Sequence, residues 1–205
     1  MKALAVAALA VALVAAPAGA ARDPAALVLQ LEDLSAVFDR TSARYRTNAT
    51  TARENGVKPA LLESWGRVNG YEALYERSVD PAVPPRGAAT ITANVSVYRT
   101  RAGLRKAYAR SVARIGEVRK GEPARVARAL PGKVGDEARL WETRVTQDGL
   151  PIVVFTLVWR ANGALSHLSV AGIQGRLTAA DVLALARKQQ ARVAGTASPP
   201  GGPSA

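Results

Sequence analysis

Residues 138–173 decide the fold, and they read ARLWETRVTQDGLPIVVFTLVWRANGALSHLSVAGI. Three runs rich in Val, Leu and aromatic residues are separated by Asp148-Gly149 and Asn162-Gly163. Asp-Gly and Asn-Gly between such runs are strong hairpin signals, because both central residues of a type I′ turn need a positive φ. We therefore predict an antiparallel three-strand meander, with strands over 138–146, 150–160 and 164–173.

The middle strand of this meander is apolar on both faces. Residues 152–159 read IVVFTLVW, and successive side chains of a strand point to opposite faces of the sheet. Both faces of the sheet must therefore be covered by other parts of the chain. We predict an α+β fold, in which helices cover an antiparallel sheet of five or six strands.

Two amphipathic segments can supply this cover. In 101–116, apolar residues recur at helical spacing, which predicts a helix with one buried stripe. A second helix is predicted over 178–193, because Thr178 and Asp181 form a capping-box pattern and Gly195 follows the helix. The sequence leaves open whether the two helices lie on the same face of the sheet.

Shorter elements are predicted in the remaining segments. Alternating residues favour strands over 71–77 and 89–99. Pro59 at a first helical turn favours a short helix over 58–65. Weaker patterns indicate a strand or docking segment over 27–34, a helical turn over 50–54 and a short helix over 124–129, within a charged surface connection.

The N-terminus has the pattern of a cleaved secretory signal. Lys2 precedes an apolar run over 3–16, Pro17 ends that run, and Ala18-Gly19-Ala20 fits the small-residue pattern of a cleavage site. The run is shorter than the ~20 residues of a membrane-spanning helix. We therefore expect residues 1–20 to be removed after Ala20, which predicts a secreted or extracytoplasmic protein with no transmembrane segment.

The remaining chain has the size of one domain and contains no cysteine. We predict one α+β domain over 21–195 and a disordered tail over 196–205, where Pro, Gly and Ser predominate. The absence of cysteine excludes stabilisation by disulfides, thiol catalysis and thiolate metal sites. The core must therefore be held by packing.

Basic residues are concentrated in one part of a chain whose formal net charge is +12. Between residues 99 and 128 there are ten basic residues and only two acidic ones. This segment is a candidate surface for anions such as wall polymers or acidic lipid head groups. A plain solvated surface is the alternative interpretation. The candidate residues are Arg105, Lys106, Arg110, Arg114, Arg119 and Lys120.

Catalytic patterns are sparse in this sequence. His167 is the only histidine, and no Gly-x-Ser-x-Gly motif nominates a nucleophile for it. Asp136 and Glu137 are adjacent, so in a strand their carboxylates point to opposite faces. We expect no metal site, no cofactor and no enzyme activity. A hydrolase that uses His167 or a carboxylate pair assembled by the fold remains the alternative.

The chain resembles a group of uncharacterised secreted bacterial proteins and, in its order of elements, the PsbP-like α/β/α sandwiches. The resemblance covers about residues 60–193 and is carried by WGRVNGY at 65–71, VSVYR at 95–99, GDEA at 135–138 and ARKQ at 186–189. It implies a small exported accessory or binding domain and supplies no catalytic or ligand residue.

The function predicted from the sequence is therefore a non-catalytic binding domain, secreted or attached to the cell envelope. It would contact an anionic polymer, a lipid head group or an envelope protein. Specific nucleic-acid recognition is not expected, because the basic segment lacks the interleaved aromatic residues that stack on bases. A structural subunit of an envelope complex is a further alternative.

Overall fold

A computed structural model describes residues 22–77, 85–118 and 120–195. The predicted signal peptide, the predicted tail and Arg119 lie outside these residues. The chain begins with two short 3-10 turns, Pro24–Leu27 and Leu31–Asp33. The strands are β1 (Phe38–Tyr45), β2 (Arg67–Arg77), β3 (Thr90–Tyr98), β4 (Arg125–Arg128), β5 (Glu137–Gln147), β6 (Leu150–Ala161) and β7 (Ala164–Ile173). The α-helices are α1 (Asn48–Glu54), α2 (Pro59–Ser64), α3 (Arg101–Gly116) and α4 (Ala179–Ala194).

All these strands form one antiparallel sheet, in the order β1-β2-β3-β7-β6-β5-β4. The α+β class is confirmed, whereas the predicted count of five or six strands is too low, because the sheet has seven. The two strands that sequence reasoning missed, β1 and β4, are the two edges of the sheet. None of the helices in the described residues is long and apolar enough to cross a membrane.

The edge strand β4 corrects a specific prediction. A short helix was expected over 124–129, but Arg125–Arg128 pairs with Leu140–Thr143 of β5. The sequence RVAR is rich in helix-forming residues, yet pairing with an existing sheet edge overrides that local preference. The Arg125 guanidinium also donates hydrogen bonds to the carbonyl oxygens of Ile115 and Glu117, 3.3 and 2.7 Å away, and so ties β4 to the end of α3.

The three-strand meander is confirmed. β5, β6 and β7 pair in continuous register. Asp148 and Gly149 have φ of 51° and 76°, and Asn162 and Gly163 have φ of 47° and 77°. Four positive φ values at these central positions are the requirement of type I′ turns, which match the twist of the strands that they join.

The helices α3 and α4 lie on opposite faces of the sheet. Leu157 of β6 is packed in the same buried cluster as Val182 and Ala186 of α4. The next residue, Val158, packs with Tyr108 of α3. Because adjacent strand residues point to opposite faces, the apolar character of β6 on both sides is explained by these two helices.

The N-terminal segment 24–34 docks beside α4. Val28 and Leu29 are fully buried in the core of that face, and the Tyr75 hydroxyl donates a hydrogen bond to the Leu29 carbonyl oxygen. The Arg192 guanidinium of α4 pairs with Glu32 and Asp33 at 2.8 and 2.5 Å. Of the two predictions for 27–34, the docking segment is confirmed and the strand is wrong.

Candidate functional site

A cavity of about 250 Å³ lies on the α3 face of the sheet. Its floor is formed by β2, β3, β7 and β6, one wall by α1 and α2 with the turn between them, and the opposite wall by α3. Its lining includes Arg46, Thr51, Glu54, Leu62, Trp65, Glu72, Asn94, Ala107, Arg110, Ser111, Arg114, Leu165 and His167.

Three polar side chains in register form the centre of the floor. Glu72 of β2 pairs with Asn94 of β3, and Asn94 pairs with His167 of β7. Residues directly opposite each other on paired strands present their side chains to the same face. The Asn94 side-chain amide donates a hydrogen bond to Glu72 at 3.2 Å, so the amide is oriented within this row.

The two carboxylates that line the cavity, Glu54 and Glu72, are paired with arginines. Arg44 pairs with Glu72 at 2.8 Å and with Glu54 at 3.1 Å. Arg46 pairs with Glu54 and lies 3.5 Å from Glu72. Desolvation acts to raise the pKa of Glu72, but the hydrogen bond from Arg44 and the charge of Arg46 bring that pKa below its usual value. Glu72 is therefore ionised at neutral pH and serves as an ion-pair partner.

His167 is a neutral imidazole at neutral pH. The pKa of His167 is lowered to about 4. Desolvation is the largest cause, the charges of Arg114 and Arg46 add to it, and the charge of Glu72 acts in the opposite direction. A neutral imidazole offers one N–H donor and one nitrogen acceptor. The ring can therefore hydrogen-bond to a ligand in the cavity without contributing a charge of its own.

Another arginine, Arg67, is buried next to the cavity. The Arg67 guanidinium donates hydrogen bonds to Asn48 Oδ1, the Arg46 carbonyl oxygen and Ser96 Oγ at 2.9, 2.9 and 3.2 Å. All three acceptors are neutral, and desolvation lowers the pKa of Arg67 to about 10. Arg67 still carries its charge at neutral pH, so it adds positive potential next to the cavity.

The helix α3 divides the predicted anion-binding residues between two surfaces. Arg110 and Arg114 line the cavity, on the flank that also carries Ala107 and Ser111, because residues three and four apart share a helix face. Arg105 and Lys106 are also exposed but do not line the cavity. Lys120 is exposed after the helix. The assignment of these residues to anion binding stays a prediction.

One end of the cavity is apolar. Trp65 and Leu165 pack against the buried cluster of Tyr98, Leu104 and Ala107. Leu62 of α2 also lines the cavity. The site therefore combines an apolar end with charged and hydrogen-bonding groups along the rest of its floor and walls.

Sequence reasoning missed the residues that β1, α1, β2 and β3 bring to the site. Arg46, Glu54, Glu72 and Asn94 are far apart in the sequence and match no motif. The one available signal was the polar face of β3, where Asn94 lies between Thr92 and Ser96, together with His167 in another strand. Among the described residues, no group of three or more His, Cys, Asp or Glu side chains is arranged to hold a metal ion.

The sequence matches no protein-family model and no curated protein at a significant level. The predicted resemblance to PsbP-like domains stays a prediction. Among solved structures, the chain is similar to the extracellular domain of PknH from Mycobacterium tuberculosis. The TM-score is 0.57 at 11% sequence identity, and the match covers 83% of this chain and 94% of that domain. What the chain shares with this extracellular domain is its fold.

Proposed function

We propose that the mature protein is an exported, non-catalytic binding domain that contacts an anionic partner of the cell envelope through the outward face of α3. The observation that carries this proposal is a set of exposed cations without counter-ions. Among the described residues, Arg101, Arg105 and Lys106 form no ion pair, and α3 contains no acidic residue.

What distinguishes α3 is that its exposed cations lie close together on a helix without an acidic residue. Several other arginines of the described chain have carboxylate partners, as Arg44 has Glu72 and Arg192 has Asp33. Like charges one turn apart on a helix repel each other by a few tenths of a kcal/mol, roughly. A polyanion lying along α3 would remove this repulsion and gain attraction from several cations at once.

Export is supported by the signal-peptide pattern of residues 1–20, and a fold shared with an extracellular domain is compatible with it. On the far side of a membrane, the polyanions available to a basic protein are wall polymers and acidic lipid head groups. We retain both as partners, because phosphate and carboxylate groups on either would contact α3 in the same way.

The proposal is tested with a triple charge reversal, Arg101→Glu, Arg105→Glu and Lys106→Glu, in the mature protein. We expect the variant to lose at least about tenfold in affinity for phosphatidylglycerol vesicles or for a purified anionic wall polymer at low salt. High salt should weaken the unmodified protein too, since exposed charges are screened within ~10 Å at 0.1 M. Comparing vesicles with polymer identifies the source of the anions.

The matched control reverses three exposed cations elsewhere, Arg40→Glu, Arg53→Glu and Lys58→Glu. Both triple variants have the same net charge, so a general electrostatic effect would weaken them equally. Equal binding by the two variants, or retention of the α3 variant at low salt, would contradict the proposal. Co-elution of the native protein with one fixed envelope protein, unaffected by salt, would favour a structural subunit instead.

A hydrolase is the second candidate function. The observation that favours it is the presence of His167 in the same cavity as Glu54 and Glu72. A neutral imidazole can accept a proton, as a general base requires. Both carboxylates are already paired with arginines, which suits them poorly to act as acids. Turnover of an activated ester that disappears in His167→Ala would favour this candidate over a binding domain.

A further inference from the structure

We propose that the cavity between α1–α2 and α3 binds a small amphiphilic organic anion. Its carboxylate would lie at the α3 flank that carries Arg110 and Arg114, and its apolar part would lie against Trp65 and Leu62. This site is distinct from the outward face of α3, because it takes a small molecule rather than a polymer and is lined by the flank of α3 that faces α1 and α2.

The charges in and around the cavity favour an anion. Arg46, Arg110 and Arg114 line it together with two carboxylates, Glu54 and Glu72. Both carboxylates are engaged by Arg46, and Arg44 pairs with them from outside the cavity. Arg110 has no carboxylate partner among the described residues. The local charge is therefore positive on the α3 side.

Buried Arg67 strengthens this preference. Its guanidinium is satisfied by three neutral oxygens rather than by a carboxylate. A charge in a poorly solvated position is weakly screened, so it acts over a longer distance than an exposed one. A cation in the cavity would face Arg67 as well as the lining arginines, whereas an anion would be attracted by all of them.

Hydrogen-bonding groups complete the polar end. Asn94 and His167 sit side by side in paired strands on the floor, and Ser111 adds a hydroxyl from α3.

The apolar end of the cavity indicates that the ligand also has an apolar part. Inorganic anions have no group that would contact Trp65, Leu62 and Leu165, which are exposed to the cavity. Burial of apolar surface contributes roughly 25 cal/mol per Å². At about 250 Å³, the cavity is below the ~300–1,000 Å³ of sites for drug-sized molecules. A short-chain or aromatic carboxylate therefore fits its size and its polarity.

The experiment uses the only histidine of the chain as its reporter. Octanoate is titrated into the mature protein while the imidazole proton resonances of His167 are followed by NMR. We expect saturable shifts of these resonances at neutral pH, where octanoate is ionised, because a bound carboxylate changes the electrostatic environment of the ring. Acetate lacks the apolar chain and octanol lacks the charge, so both should bind at least about tenfold more weakly.

Two variants locate the binding. Arg110→Glu should weaken octanoate binding at least about tenfold, whereas Arg105→Glu, the same change on the outward face of α3, should leave it unaltered. Circular dichroism checks that both variants are folded. Absence of any saturable shift with octanoate would overturn the proposal, as would equal affinity for acetate, phosphate or octanol, or equal effects of the two variants. Polyanion binding by the Arg101, Arg105 and Lys106 reversal is measured separately, so either proposal can fail alone.

Discussion

At the scale of single residues, His167 shows how a polar group is kept in a sheet that is otherwise packed on both sides. Its neighbours in register are Asn94 on one strand and Val158 on the other. Desolvation and two nearby arginines keep the ring neutral, with a pKa of about 4. The histidine thus resists protonation in the folded protein, whereas in the unfolded chain it titrates normally.

This difference predicts a specific loss of stability in acid. The unfolded chain binds a proton on His167 near its ordinary pKa of about 6.5, and the folded chain does so only near 4. Stability from this residue is therefore complete above pH ~6.5 and is lost as the pH falls toward 4. Between pH 7.5 and 4, we expect the free energy of unfolding to fall by about 1–3 kcal/mol more in the unmodified protein than in His167→Gln. Urea unfolding at several pH values in this range measures the difference.

The carboxylates also titrate in acid, but they are present in both proteins and their effect cancels in the comparison. Parallel curves of unfolding free energy against pH for the two proteins would contradict the prediction. A steeper acid loss in His167→Gln would contradict it as well, because it would mean that the folded protein binds the proton more readily than the unfolded one.

Gly70 has a role that its sequence position does not reveal. A Cβ atom at this position would lie 2.6 Å from the Arg67 guanidinium and 2.6 Å from the Val95 carbonyl oxygen. Both distances are far inside normal contact. Glycine is therefore required here for its small size, which lets the buried guanidinium cross the strand and reach its acceptors.

At the scale of elements, the position of α3 depends on Gly103. A Cβ atom there would be 1.6 Å from the Trp65 carbonyl oxygen, so the helix approaches the end of α2 more closely than any other residue permits. We expect Gly103→Ala to push α3 away from the end of α2 and to lower the free energy of unfolding by about 3 kcal/mol, at the upper end of overpacking costs. Urea unfolding followed by circular dichroism measures this loss.

Gly116 provides the control within the same helix. A Cβ atom at this exposed position would be 3.9 Å from its nearest neighbour, Trp141 Nε1. Alanine is a better helix former than glycine by about 1 kcal/mol in a helix interior, so Gly116→Ala should be neutral or stabilising. Equal losses in both variants would mean that contact with Trp65 does not decide the position of α3.

The elements that the sequence predicts well are those with local signals. The meander is encoded by two positive-φ turns, and α4 by its capping box and by Gly195, which has φ of 75°. The edge strand β1 lacks such signals, because seven of its eight residues are exposed and its sequence, FDRTSARY, is polar. β1 is a strand because β2 offers its edge, and this pairing is a tertiary effect.

The candidate site was predictable only in part for the same reason. Arg110 and Arg114 could be nominated because they belong to one amphipathic helix with an excess of positive charge. Their location at the cavity, which Arg105 and Lys106 do not line, depends on how α3 is rotated against the sheet. Glu72, Asn94 and His167 meet through strand pairings 22 and 73 residues apart, which no local pattern encodes.

At the scale of the whole molecule, the two faces of the sheet have different tasks. The α4 face contains the large apolar core, which includes fully buried Trp159, Leu157 and Leu168. The α3 face has two small apolar clusters with the polar cavity beside them. Without cysteine, stability must come from packing, and the α4 face supplies most of it. This division leaves the α3 face able to carry an open cavity together with Arg101, Arg105 and Lys106, which form no ion pair among the described residues.

The N-terminal segment joins the core of the α4 face, so its burial should contribute to the stability of the whole fold. Leu29 is fully buried among residues of that core, whereas Leu31, two residues later, is 43% exposed. We expect Leu29→Ala to lower the free energy of unfolding by about 2–4 kcal/mol through lost burial and a residual cavity. Leu31→Ala should change it by no more than about 0.5 kcal/mol.

Both variants are compared by urea unfolding with fluorescence and circular dichroism as separate probes. If the segment belongs to the same cooperative unit as the sheet, the two probes will give one shared midpoint, displaced only in Leu29→Ala. An unchanged midpoint in Leu29→Ala would mean that 24–34 detaches before the sheet unfolds. A shared midpoint would mean that the segment is an integral part of the packed body.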